Sequence, residues 1–232
     1  MFYSDDISDN DFVLSPEESR HCVKVLRHKT GDLITVTDGK GLLKEATITG
    51  DKPNKVTCKT VSSTQVQKQK SFYTHIAISP TKNMDRMEWF VEKACEMDID
   101  EISFIFTYHS ERKVLKTDRL HKKSLSAMKQ SGGYHLCKIN EPVKLGEFLK
   151  GDHEGNQMIA YVDSNNPQTI KKVCEPGQHY LIMIGPEGDF SEAELQQCKE
   201  KGFTSVSLGT KVLRTETAGV VACHSFNFLN DF

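Results

Sequence analysis

Leu181-Ile182-Met183-Ile184-Gly185-Pro186-Glu187-Gly188-Asp189-Phe190-Ser191-Glu192-Ala193-Glu194-Leu195 is the run that decides the fold. Tyr180 to Ile184 is a short apolar run closed by Gly185-Pro186, which reads as a buried strand. Gly185, Pro186 and Gly188 then force a tight loop at its carboxyl end. Ser191 with Glu194 forms a capping box and opens a helix that ends before Gly202. A second short strand, 204–208, is again stopped by a glycine, Gly209. Two glycine loops at two strand ends of one α/β unit stand where open α/β sheets bind ligands. Taken singly, each loop reads equally well as an ordinary strand-to-helix turn.

Outward from this run, strand and helix signals alternate. Strands are expected at 72–78, 101–106, 157–162, 180–184 and 204–208. Helices are expected at about 83–97, 117–130, 167–174, 191–200 and 216–229. This alternation predicts an α/β fold, a mainly parallel sheet with helices on both faces. The helix at 83–97 puts Met87, Phe90, Val91, Ala94 and Cys95 on one face, with Asp85, Arg86, Glu92, Lys93 and Glu96 opposite. Residues 62–71 are polar and mark a domain boundary. Before it, Ser15-Pro16-Glu17-Glu18 caps a helix that runs to Val25-Leu26. Short strands with tight turns follow: Leu33–Thr37, the Asp38-Gly39 turn, Leu42–Thr49 and Lys55–Val61. Such a series suggests a small β-barrel.

Composition bounds the classes. With 37% hydrophobic and 27% charged residues in 232, the chain reads as globular, with room for two small domains. No run nears the ~18 apolar residues of a membrane span, and the acidic start Met1-Phe2-Tyr3-Ser4-Asp5-Asp6 does not read as a secretory signal. Seven cysteines, with no Cys-x-x-Cys pair, suggest neither a zinc site nor a disulfide framework, so reduced thiols and a cytoplasmic location are expected. His-Glu-x-x-His, Gly-x-Ser-x-Gly and Gly-x-Gly-x-x-Gly are all absent, so no metal is expected and any cofactor binds by another mode. Net charge is −2, yet basic residues cluster. Residues 20–29 hold Arg20, Lys24, Arg27 and Lys29 without an acid, and 108–138 hold eight bases against Glu111 and Asp118. A solvated face would explain either run; together they fit a phosphate-binding surface better.

Gly185-Pro186-Glu187-Gly188, then Leu208-Gly209, then Leu213-Arg214-Thr215-Glu216-Thr217-Ala218, in this order and spacing, resembles the RsmE family. That family comprises uracil-N3 methyltransferases of 16S ribosomal RNA within the knotted SPOUT class. The likeness extends upstream through His21, Val25-Leu26-Arg27, Thr81-Lys82-Asn83 with Asp85-Arg86, and Gln130-Ser131, covering nearly the whole chain. It implies a PUA-like RNA-binding barrel over 1–70 and a SPOUT methyltransferase domain over 72–232. It also implies a trefoil knot threaded near the C-terminus and a homodimer whose site borders the subunit interface.

The resemblance further implies an S-adenosyl-L-methionine site built from Ile184, Gly185, Pro186, Glu187, Gly188, Leu208, Gly209, Val212, Leu213, Thr215, Thr217 and Ala218. Glycines there let backbone approach a flat base. Uracil N3 must lose its proton, and a cation stabilises the charge that spreads onto the carbonyl oxygens. Arg214 is the candidate for that catalytic role; alternatively it pairs with Glu187 or Glu216 as a structural ion pair. Either carboxylate is a conceivable base, and so is solvent. RNA contacts are expected from Arg20, Lys24 and Arg27, and from Lys82, Arg86, Arg112, Lys113, Gln130 and Ser131. Where the family has an arginine shortly after Gln-Ser, this chain has Gly132-Gly133-Tyr134-His135, with Tyr134 able to stack on a base. Two rival readings are a non-catalytic ribosome-assembly factor and a related knotted ribose 2′-O-methyltransferase.

Overall fold

The computed structural model describes residues 1–161 and 168–232. They form two compact units: Met1–Gln69 with Met128–Leu136, and Lys70–Ala127 with Cys137–Phe232.

In the first unit β1 (Phe2–Tyr3), β2 (Asp11–Val13), β3 (Leu33–Thr37), β4 (Leu42–Lys52) and β5 (Lys55–Gln65) form one sheet in the order β1-β3-β4-β5-β2. Only the β1–β3 pair is parallel. The β3–β4 turn works as its residues dictate. Gly39 has φ 70°, and Asp38 Oδ1 accepts from the amides of Lys40 (2.7 Å) and Leu42 (3.0 Å). Inward residues Ile34, Val36, Ala46, Ile48, Val56 and Cys58 make the core with Phe2, Ile7, Phe12 and Leu14. Ser62–Gln65, expected in the linker, instead pair with Leu42–Glu45 and extend β5. A sheet ladder needs only backbone, so polar residues serve on its exposed end.

Ser15 Oγ accepts from Glu18 N at 3.2 Å and starts α1 (Pro16–Arg20). The next turn, His21–Val25, widens to i→i+5 bonding, with Leu26 N on His21 O at 3.0 Å.

The second unit holds β6 (Tyr73–Ile78), α2 (Met84–Glu96), β7 (Glu101–Phe106), β8 (Lys138–Ile139), β9 (Val143–Lys144), α4 (Leu145–Phe148), β10 (Asn156–Ala160), α5 (Ile170–Val173), β11 (His179–Ile184), α6 (Glu192–Glu200), β12 (Thr204–Val206) and α7 (Thr215–Leu229). Helix α3 (Asp118–Ser131) runs from this unit's chain into the 128–136 segment. All strand pairs are parallel, in the order β12-β10-β11-β6-β7-β8, with β9 also on β7. Val162 and residue 167, the ends of one expected strand and one expected helix, lie outside the described residues.

Alternation along the strands sorts the core. Ile76, Ile78, Ile182 and Ile184 face α2 and α7; Ala77, Leu181 and Met183 face α4 and α6. Helix α7 lies so close to α2 on that face that a Cβ on Gly219 would sit 2.5 Å from Phe90 Cε2. The helices therefore cover both faces, and the carboxyl ends of β10, β11 and β12 are left side by side.

Candidate active site

A pocket of about 390 Å³ opens at those three strand ends. Ala160 ends β10 and Tyr161 follows it, Ile184 ends β11 and Gly185, Pro186, Glu187 and Asp189 follow it, and Val206 ends β12 with Leu208 and Gly209 after it. The segment from Lys211 to Thr215 and Ala218 of α7 close it. Backbone and side-chain bonds tie the walls together. Tyr161 N donates to Val206 O (3.1 Å), Ser79 N to Ile184 O (2.9 Å), and Thr215 Oγ1 to Gly185 O (3.0 Å). The capping box at Ser191 forms in full, with Glu194 Oε2 accepting from Ser191 N at 2.9 Å.

Of the residues expected at a cofactor site, Ile184, Gly185, Pro186, Glu187, Leu208, Gly209, Val212, Leu213, Thr215 and Ala218 line this pocket. Gly188 and Thr217 do not. A Cβ on Gly188 would meet His109 Cβ at 3.0 Å, so its compactness serves loop packing. Gly209 is the glycine suited to close approach: φ is +148°, and none of the described residues lies within 4 Å of where its Cβ would be. Ala160, Tyr161, Asp189, Val206 and Lys211 were not singled out from sequence. The strand-end rule that found Gly185 applies equally to Tyr161, which follows β10, but no glycine flags it.

Arg214 lines the pocket as the N-cap of α7, with its side chain exposed and without an ion-pair or hydrogen-bond partner among the described residues. The carboxylates considered for it face another cation. Arg86 Nη1 is 3.9 Å from Glu187 Oε1, and Arg86 Nε is 3.7 Å from Glu216 Oε1. Glu216 is only 7% exposed, and its Oε2 has no hydrogen-bond partner among the described residues.

The expected RNA contacts divide. Arg20, Lys24 and Arg27 are exposed along α1 and the turn after it. Gln130 and Ser131 are exposed at the end of α3, and Tyr134 is half-buried, its carbonyl accepting from Gly41 N at 3.0 Å. Lys113 is exposed, and Lys82 reaches Glu111 at 3.3 Å. Arg112 is committed locally: Nε donates to Thr81 O (3.1 Å) and Nη2 to Lys82 O (2.6 Å), which fixes the loop before α2. Arg86, as above, serves two carboxylates.

Among the described residues no cluster of His, Cys, Asp and Glu fits a metal, and no helix is long and apolar enough to cross a membrane. All seven cysteines are free thiols, six of them buried. Burial pushes Cys58, Cys198 and Cys223 up to about 12, which leaves these thiols inert.

The family described as an RNA methyltransferase domain matches residues 68–227, and its RNA methyltransferase PUA domain matches 14–61. The chain belongs to this RNA methyltransferase family. A probable rRNA-methyltransferase from Porphyromonas gingivalis is 37% identical, with a TM-score of 0.92 over 99% of this chain and 98% of that one. The Ribosomal RNA small subunit methyltransferase E of Neisseria gonorrhoeae, solved bound to S-adenosyl methionine, is 26% identical, with a TM-score of 0.84 over 98% and 96%. The protein of the same name from Buchnera aphidicola is 27% identical over 96% of this chain and 90% of its own length. The second unit is thus an RNA methyltransferase domain, and the first is PUA-like.

Proposed function

We propose that this methyltransferase transfers a methyl group from S-adenosyl-L-methionine to N3 of a uracil in small-subunit (16S) ribosomal RNA. The observation that carries the reading is the pocket at the β10, β11 and β12 ends, where an open glycine, apolar walls and an arginine without a partner among the described residues converge. Its residues fit the cofactor. Gly209 leaves room for a flat base beside the backbone, and Ile184, Leu208 and Leu213 offer apolar surface. The small-subunit methyltransferase E relatives support the substrate class.

When bound, the cofactor supplies a methyl carbon on a positively charged sulfur. The chain's own part is electrostatic. Uracil that has lost its N3 proton carries negative charge on its carbonyl oxygens. Arg214, free of a carboxylate partner among the described residues and beside the amino end of α7, is read as the cation that stabilises that charge. Exposed Arg20, Lys24 and Arg27 on the PUA-like unit, and Lys82 and Lys113 on the catalytic unit, are read as RNA contacts.

The same reading makes the first unit a PUA-like RNA-binding barrel and the second a SPOUT domain with a C-terminal trefoil knot. It also makes the protein a cytoplasmic homodimer. Support for the dimer is the exposed apolar surface at Val212 (96% exposed) and Phe228 (72%).

The test is transfer of radiolabel from methyl-labelled S-adenosylmethionine to small-subunit ribosomal RNA by the purified chain. Labelled RNA is expected. Absence of both transfer and cofactor binding would leave a non-catalytic assembly factor.

A further inference from the structure

Beside the cofactor pocket the catalytic unit carries a second groove, of about 490 Å³. Their linings are linked through one hydrogen bond. Asp189 lines the pocket, and its carbonyl accepts from His109 Nδ1 at 3.1 Å; Tyr108, the residue before His109, lines the groove. Because a carbonyl only accepts, that imidazole carries its proton on Nδ1.

The groove is basic and aromatic. Lys113 and Lys144 line it, both exposed and without a carboxylate partner among the described residues. Lys144 is held there because β9 pairs beside the end of β7, with Phe106 opposite Lys144. The groove's carboxylate, Glu194, is spent on backbone donors. Oε1 accepts from Tyr108 N at 2.8 Å and Oε2 from Ser191 N at 2.9 Å. Those neutral donors leave Glu194 its charge, but with two lysines against one carboxylate the lining stays net positive. Tyr108 is 75% exposed although its own amide is pinned, so a ring stands in solvent on a fixed backbone.

We propose that this groove binds the single-stranded RNA flanking the target nucleotide, with Lys113 and Lys144 on phosphates and Tyr108 stacked on a base. The inference rests on the reading that the neighbouring pocket methylates RNA. Unpaired cations with an exposed aromatic ring are what sequence-tolerant binding of a single strand needs. The Asp189–His109 bond ties the groove's lining to the pocket's, so a strand held in the groove runs towards the reacting base.

The experiment titrates a 16S ribosomal RNA transcript against the full chain at several salt concentrations, with S-adenosylmethionine affinity measured in parallel. Lys113→Ala with Lys144→Ala is expected to reduce the slope of log K against log salt by about 1.4, the value for two single-strand phosphates. Tyr108→Ala is expected to weaken RNA binding roughly fivefold to a hundredfold, and Tyr108→Phe to retain it, since the ring alone stacks. Cofactor affinity is expected to stay at the wild-type value in all of them. Unchanged RNA affinity and slope in variants of an enzyme that still methylates would overturn the groove and spare the proposed function. A loss of cofactor affinity matching the loss of RNA affinity would overturn it too, by placing the effect in the pocket. Failure of the wild type to bind S-adenosylmethionine would overturn the proposed function, and the groove with it.

Discussion

Arg86 Nε stands 3.7 Å from the carboxylate of Glu216, a residue 130 positions later in the chain. The same guanidinium lies 3.9 Å from Glu187, so one cation from α2 faces both the Gly-Pro-Glu-Gly loop and the start of α7. With Glu216 buried and one of its oxygens without a hydrogen bond among the described residues, this cation offsets the buried charge. Arg86→Ala is therefore expected to destabilise the protein by on the order of 1–2 kcal/mol. That is less than the ~3–5 kcal/mol of a fully buried pair, because Arg86 is 37% exposed. Urea denaturation checks it. Adding Glu216→Gln to Arg86→Ala should recover most of the loss, and strictly additive losses would contradict the pairing.

Arg214 is expected to behave differently. Its side chain has no partner to lose among the described residues, so Arg214→Ala should melt like the wild type. Its single-turnover methylation rate at saturating cofactor should fall on the order of 100- to 1000-fold. Arg214→Lys should fall between, keeping charge but not the planar fork. A variant that melts early and methylates at the wild-type rate would make Arg214 structural.

Gly219 sets how closely α7 approaches α2. A Cβ there would lie 2.5 Å from the ring of Phe90 and 3.1 Å from Ile78 Cδ1, both buried. Gly219→Ala should cost about 1–3 kcal/mol by overpacking. Adding Phe90→Leu should recover part of it. Denaturant midpoints of the two variants give the answer.

Stability should fall on acidification. Burial pushes the His75 imidazole down to about 4, with Glu101 nearby opposing the shift. The folded state therefore holds His75 neutral while the unfolded chain takes up a proton below its usual 6.5. This contribution is complete above pH 6.5 and is lost as pH falls towards 4. The difference of 2.5 between these two values corresponds to about 3 kcal/mol. His75→Gln should flatten the pH dependence of unfolding free energy in that window, and an unaltered slope would show that other groups carry it.

Much of this was legible in the chain because the signals were local. Ser191 and Glu194 announce α6 through a cap that needs only four residues, and Gly185-Pro186 stops β11 by backbone restriction alone. The periodic apolar faces of α2 and α7 mark helices that pack on the sheet. What escaped was tertiary. Strands β8 and β9 are two residues each, too short for any period, and exist because β7 offers an edge. Met128–Leu136 groups with the first unit through contacts such as Lys129 Nζ to Glu18 Oε1 at 2.6 Å, residues 111 apart. The commitments of Arg86 and Arg112 were invisible for the same reason: a cation's partner is set by the fold, so both read as RNA contacts. A lone lysine such as Lys144 gives no signal in the sequence, and it is β9 that sets it in one groove with Tyr108.

The most direct test of the account is the position of the methyl group. The purified chain is incubated with S-adenosylmethionine and small-subunit ribosomal RNA. The RNA is then digested to nucleosides, and the methylated product is identified by mass spectrometry against standards. The account predicts N3-methyluridine, dependent on Arg214. A 2′-O-methylated nucleoside, or a methyl group on another base, would contradict it.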